Sequence, residues 1–174
     1  MNSNLLLLSV IHLVMAIFVG VLVLYFTYLI ANSLLKKKGY TTDKNNLAFG
    51  IFISSIMLSV GIVVSSAYAP SMSLLQILQK TASSKLWLFL DFSLYFLLFL
   101  VIAMVVSFLI IFISLKLYTF LTRNIEEFEE ISRNNVSVAL VTGIIVIVIA
   151  IFAKDSMSMI IESLIPYPKV GIIN

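Results

Sequence analysis

Four long apolar runs, at about residues 5–35, 47–67, 86–121 and 136–153, constrain this chain more than any other feature. At 1.5 Å rise per residue each is long enough to cross the roughly 30 Å hydrocarbon core of a bilayer as a helix. The first and third runs exceed that thickness, so they are expected to tilt or to project beyond it. Four such spans in 174 residues leave only short connections and no room for a sizeable soluble domain. With 61% apolar and 11% charged residues, there are too few charges to cover a water-facing surface. The expected partner over most of the surface is therefore lipid.

The ends of the runs carry the topology. Seven basic residues, Lys36, Lys37, Lys38, Lys44, Lys116, Arg123 and Arg133, fall around the connections after the first and third runs, against Lys80, Lys85, Lys154 and Lys169 on the other side. Basic residues favour the cytoplasmic face, which predicts cytoplasmic hairpin connections and both termini outside. The start Met1-Asn2-Ser3-Asn4 has no basic residue and the run behind it shows no small-residue cleavage pattern. That run reads as a retained membrane helix and not as a cleaved signal. The basic residues show no interleaved aromatics for base stacking, so nucleic acid is not an expected partner. The absence of cysteine excludes disulfides, thiolate metal sites and a cysteine nucleophile.

The chain also repeats itself. Asn45-Asn46-Leu47-Ala48-Phe49-Gly50 matches Asn134-Asn135-Val136-Ser137-Val138-Ala139 at an offset of 89 residues. The same offset aligns Ser54 with Gly143 and Gly61 with Ala150. Small residues thus recur at Gly50, Ser54 and Gly61 and at Ala139, Gly143 and Ala150, spaced four and then seven apart on one helix face. In lipid such faces serve close helix packing. Val146 is the expected lipid-facing contrast to Gly143. A second echo relates Ser71-Met72-Ser73-Leu74-Leu75 to Ser156-Met157-Ser158-Met159-Ile160. Both segments have helical amphipathicity and predict short helices along the outer interface after the second and fourth spans. The fold expected is an all-α membrane protein with two parallel two-helix repeats, residues 1–82 and 83–174. Each repeat has an even number of spans, so the pseudo-twofold axis follows the membrane normal.

These residues carry a resemblance. The tandem two-helix layout, and the pattern Asn46, Ala48, Gly50 and Asn135, Ser137, Ala139 at the starts of the second and fourth spans, resemble the bacterial membrane family known as domain of unknown function 350, which includes the YjfL-like inner-membrane proteins. The resemblance implies this fold and a place in the bacterial inner membrane, and no reaction.

Polar residues inside the runs are the candidates for chemistry. His12 and Asp91 both fall in the outer half of the expected bundle, where they would pair as a proton relay or cation site. Against that stands a neutral His12 in a helix contact and an Asp91 at headgroup level. Asn46 and Asn135 read either as helix caps or as a symmetric polar pair near the axis. Serines 54, 55, 59, 65 and 66 are expected to bond back to their own helix. The first connection carries a charge of +3 and the second of −2, so the two are expected to touch. Asn124 and Glu127 resemble a capping box, which predicts a short helix over residues 125–133 with a solvated acidic face on Glu126, Glu127, Glu129 and Glu130. No metalloprotease, nucleophile-elbow or phosphate-loop motif is present, which points away from an enzyme and from any cofactor. The expectation is a homo-oligomeric membrane assembly or scaffold component, and its alternative a small channel or transporter with His12, Asp91, Asn46 and Asn135 along the path.

Overall fold

A computed structural model describes residues 3–37, 46–81, 84–122 and 127–167. Six helices follow one another: α1 (Ser3–Lys37), α2 (Leu47–Ser65), α3 (Tyr68–Thr81), α4 (Lys85–Thr122), α5 (Glu127–Ser132) and α6 (Val136–Glu162). No strand occurs among the described residues. Four of the helical segments are long and apolar enough to cross a membrane, as the four runs predict. The 35 residues of α1 and 38 of α4 give lengths of about 50 to 57 Å, well beyond one hydrocarbon core. The 19 residues of α2 give about 28 Å and match it.

Helix α2 is the hub, packing most extensively on α6 and also on α1 and α4. Phe52, Val60 and Val63 of α2, Phe99 and Ala103 of α4, and Val146, Ala150, Met157 and Ile161 of α6 form the core. The outward surface is equally apolar: Phe120 and Phe152 are 81% and 80% exposed, and Ile17, Phe18, Val21, Leu94 and Leu97 face outward as well. Large side chains exposed at that density along four spans are solvated by hydrocarbon and not by water. This is a multi-pass membrane protein.

The two expected outer segments differ. Helix α2 stops at Ser65, the chain turns at Ser66 and Ala67, and α3 begins as a separate helix. Pro70 explains the break, because its ring would clash with the carbonyl four residues back, at Ser66, and it supplies no N–H for that bond. Asp155 stands at the equivalent place in the second echo, and α6 runs on to Glu162 without interruption. The second segment is thus the last part of α6 and not a helix of its own. Helix α3 packs on α4 and α6 through buried Pro70, Ser71, Leu74 and Leu78.

Candidate functional site

The polar groups of the molecule converge where α2 and α6 begin. Both asparagines picked out by the repeat are N-caps: Asn46 Oδ1 accepts from Phe49 N at 2.8 Å, and Asn135 Oδ1 accepts from Val138 N at 3.3 Å. Each satisfies one of the orphan amides at a helix start. The amide nitrogens are spent differently. Asn46 Nδ2 donates to Ile131 O at 2.9 Å and Ser132 O at 3.1 Å, the last carbonyls of α5. Asn135 Nδ2 donates to Glu130 Oε2 at 2.7 Å. Asn46 therefore ties the start of α2 to the end of α5, whereas Asn135 bonds back to a residue five positions before it.

Asn134 completes the clasp. Its φ of 64° puts it in the left-handed region, which asparagine tolerates better than other side-chain-bearing residues. Asn134 N donates to Ile131 O at 3.0 Å and Asn135 N to Glu130 O at 2.9 Å, the bond pattern of a Schellman motif closing α5. From that position Asn134 Oδ1 reaches back and accepts from Ala48 N at 3.0 Å. The start of α2 is thus capped by Asn46 and Asn134 together, while α5 is capped by Asn46. Phe128 of α5 meets Phe52 of α2 edge to face, ring centroids 5.8 Å apart, and Ile131 is buried beneath. The repeat match contains Asn134, but only its Asn-Asn context between a helix end and a helix start hints at the role.

The acidic connection corrects one expectation. Glu129 faces outward and Glu130 is half-buried against Asn135, and the two approach Arg133 at 2.6 and 3.8 Å, contacts of little weight beside an exposed guanidinium. Glu127 turns inward, 4% exposed, with the Thr119 hydroxyl 2.9 Å from its Oε2. Asn124, Glu126, Arg123 and the first connection from Lys38 to Asn45 lie outside the described residues, and with them the expected contact between connections.

Elsewhere in the spans the buried hydroxyls turn back on their own helices. Ser59 donates to Ser55 O, Ser66 to Val63 O, Ser107 to Ala103 O, Ser114 to Ile110 O, Thr27 to Val23 O and Thr142 to Val138 O, all at 2.6 to 2.8 Å. Among the described residues no buried side-chain polar atom lacks a partner. Asp91 is exposed near the start of α4, and the side chain of His12 lies outside the described residues.

The two small-residue stripes separate. Ala139, Gly143 and Ala150 are buried, and a Cβ added at Gly143 would fall 2.9 Å from Ser55 Cβ, so α6 approaches α2 closely there. Gly50 and Ser54 are exposed and Gly61 is half-buried, and a Cβ at either glycine meets nothing within 4 Å. Gly50 and Ser54 instead floor a shallow groove of about 430 Å³ with Leu47, Ile51, Leu58 and Ile147. Val146, expected toward lipid, is fully buried, because residues 139, 143, 146 and 150 share one helical face.

With this geometry in place, the family model for Domain of Unknown Function 350 matches residues 3–157, from the first helix almost to the end of α6. The chain belongs to the Domain of Unknown Function 350 family. No curated protein and no solved structure matches it. In this member of Domain of Unknown Function 350, the clasp at Asn46, Asn134 and Asn135 and the open groove at Gly50 and Ser54 are the candidate sites.

Proposed function

We propose that this protein is a non-enzymatic component of a membrane assembly and that its partner is a second copy of itself. The groove over Gly50 and Ser54 carries the reading: it is apolar, its two small residues sit one helical turn apart, and nothing among the described residues fills it. Association in lipid relies on close packing and not on a hydrophobic effect, so a helix face free of bulk is where a neighbouring helix approaches most closely. The hydroxyls bonded to their own helices favour a packed core over a hydrated path, which a channel would line with free polar groups. The clasp gives the repeats one fixed relation, so that the groove is presented as a rigid surface. Our reading places the protein in a bacterial inner membrane with the hairpin connections in the cytoplasm and α3 along the outer interface.

The chain has no native cysteine, so a single substitution reports cleanly. Ser54→Cys is expected to form a disulfide-linked dimer in oxidised membranes, and Phe152→Cys, on the exposed side of α6, is expected not to. Equal cross-linking at both positions would sink the assembly reading. Flux through purified protein in liposomes that depends on His12 or Asp91 would replace it with the transport reading.

A further inference from the structure

A larger opening lies at the end of the bundle opposite the clasp. A cavity of about 480 Å³ sits over α2 between α1 and α4, bounded by Ala16, Gly20, Gly61, Met72, Phe92 and Phe96. Helices α1 and α4 both pack on α2 but scarcely on each other, and the gap between them is the mouth. Gly20 and Gly61 keep it open from two walls, since a Cβ at either meets nothing within 4 Å. Phe92 and Phe96 stack with centroids 5.7 Å apart and 14° between planes, making the α4 wall flat.

We infer that this cavity holds an acyl chain of a membrane phospholipid. Water is a poor occupant, because a buried water needs two to four polar partners and the lining is almost wholly apolar, with the hydroxyl protons of Ser65 and Ser71 already given to Ile62 O and Ala67 O. The opening runs along α1 from Ala16 to Leu24, a rise of about 12 Å, and an extended hydrocarbon chain lies along it without breaking a polar contact. The cavity is also continuous with the lipid-facing surface: Leu24 lines it and is itself 38% exposed, and exposed Ile17, Val21, Leu94 and Leu97 flank it on α1 and α4. A chain entering from the bilayer passes from one hydrocarbon environment to another and regains the dispersion contacts an empty cavity forfeits.

The test uses the full-length protein in vesicles of phosphatidylethanolamine and phosphatidylglycerol containing a phosphatidylglycerol with a photoreactive group in its acyl chain. After a chase with unlabelled vesicles and illumination, label is expected to remain on Phe92, Phe96 and Met72 while freely exchanging Leu97 loses it. Gly20→Leu and Gly61→Leu, which fill the cavity from opposite walls, are each expected to abolish the retained label and leave the fold intact. Retained label in both variants would overturn the inference, as would cross-linking of the lining to a second protein copy. Unfolding of both variants would contradict the open space on which the inference rests.

Discussion

Gly50, Ser54 and Gly61 on α2 and Ala139, Gly143 and Ala150 on α6 share one spacing, yet the second set is closed inside the chain and the first is left open. The difference arises because α6 turns its stripe to α2, whereas α2 answers with the adjacent face, through Ser55 and not Ser54. Two stripes of one spacing thus supply two similar surfaces, and the packing of α6 on α2 uses only one. The unused stripe is divided along its length, its lower part flooring the groove and Gly61 opening into the cavity beside α1.

The largest effect is expected where the stripe is closed. Gly143→Leu should cost about 3 kcal/mol or more and unfold the α2–α6 contact, since overpacking of a filled interface typically costs about 1–3 kcal/mol and the added side chain would meet Ser55 Oγ and, behind it, Ser55 Cβ, which has no rotamer to escape into. Even Gly143→Ala should destabilise, and Ser55→Gly in the same chain should recover part of the loss. Unfolding in a graded detergent titration reads both. An additive double variant would show that the two residues do not meet.

The clasp ranks next, and it contrasts the two helix starts directly. Asn46 makes a short cap and two bonds to the distant end of α5, whereas Asn135 makes a long cap and one bond, to nearby Glu130. Asn46→Ala should therefore cost about 2 kcal/mol and Asn135→Ala under about 1 kcal/mol. Asn134→Ala should cost about 2 kcal/mol, from a left-handed backbone and a lost cap, and Asn134→Gly about half of that because glycine keeps the backbone conformation. The same titration ranks all four, and equal losses at Asn46 and Asn135 would remove the asymmetry.

Much of this was legible in the sequence, for identifiable reasons. Apolar length is a local property, so the four spans could be read from it, whereas the end of α6 at Glu162 could not. Asn46 and Asn135 could be placed as caps because capping depends on residues three apart. Glu127 reads as one of a solvated acidic group, and its burial depends on where α4 delivers Thr119. Which stripe is closed depends on how helices 89 residues apart rotate against each other, and no local pattern encodes that. Pro70 against Asp155 was visible, but the repeat directed attention to what the segments share and not to the residue that separates them.

The smallest effect lies beyond the end of α6. The Tyr167 phenol donates to Glu162, and that bond, with the nearby carboxylate charge, holds its pKa above the usual 10.0. A raised pKa means that the neutral phenol is favoured in the folded chain. Its small contribution to stability is complete below pH 10.0 and is lost as the pH rises through the folded value. Difference absorbance between wild type and Tyr167→Phe should show one tyrosine titrating late, and Glu162→Gln should return it to the ordinary range.

The contrast between an open and a closed stripe is tested most directly by the molar mass of Gly50→Leu in lipid nanodiscs, measured by light scattering beside the wild type. A leucine at Gly50 meets no atom of its own chain within 4 Å of its Cβ, so its resistance to detergent unfolding should equal that of wild type in the monomer. The account predicts an assembled wild type and a folded, monomeric Gly50→Leu. A variant that keeps the wild-type mass, or a wild type that is itself monomeric at every protein-to-lipid ratio, would contradict it.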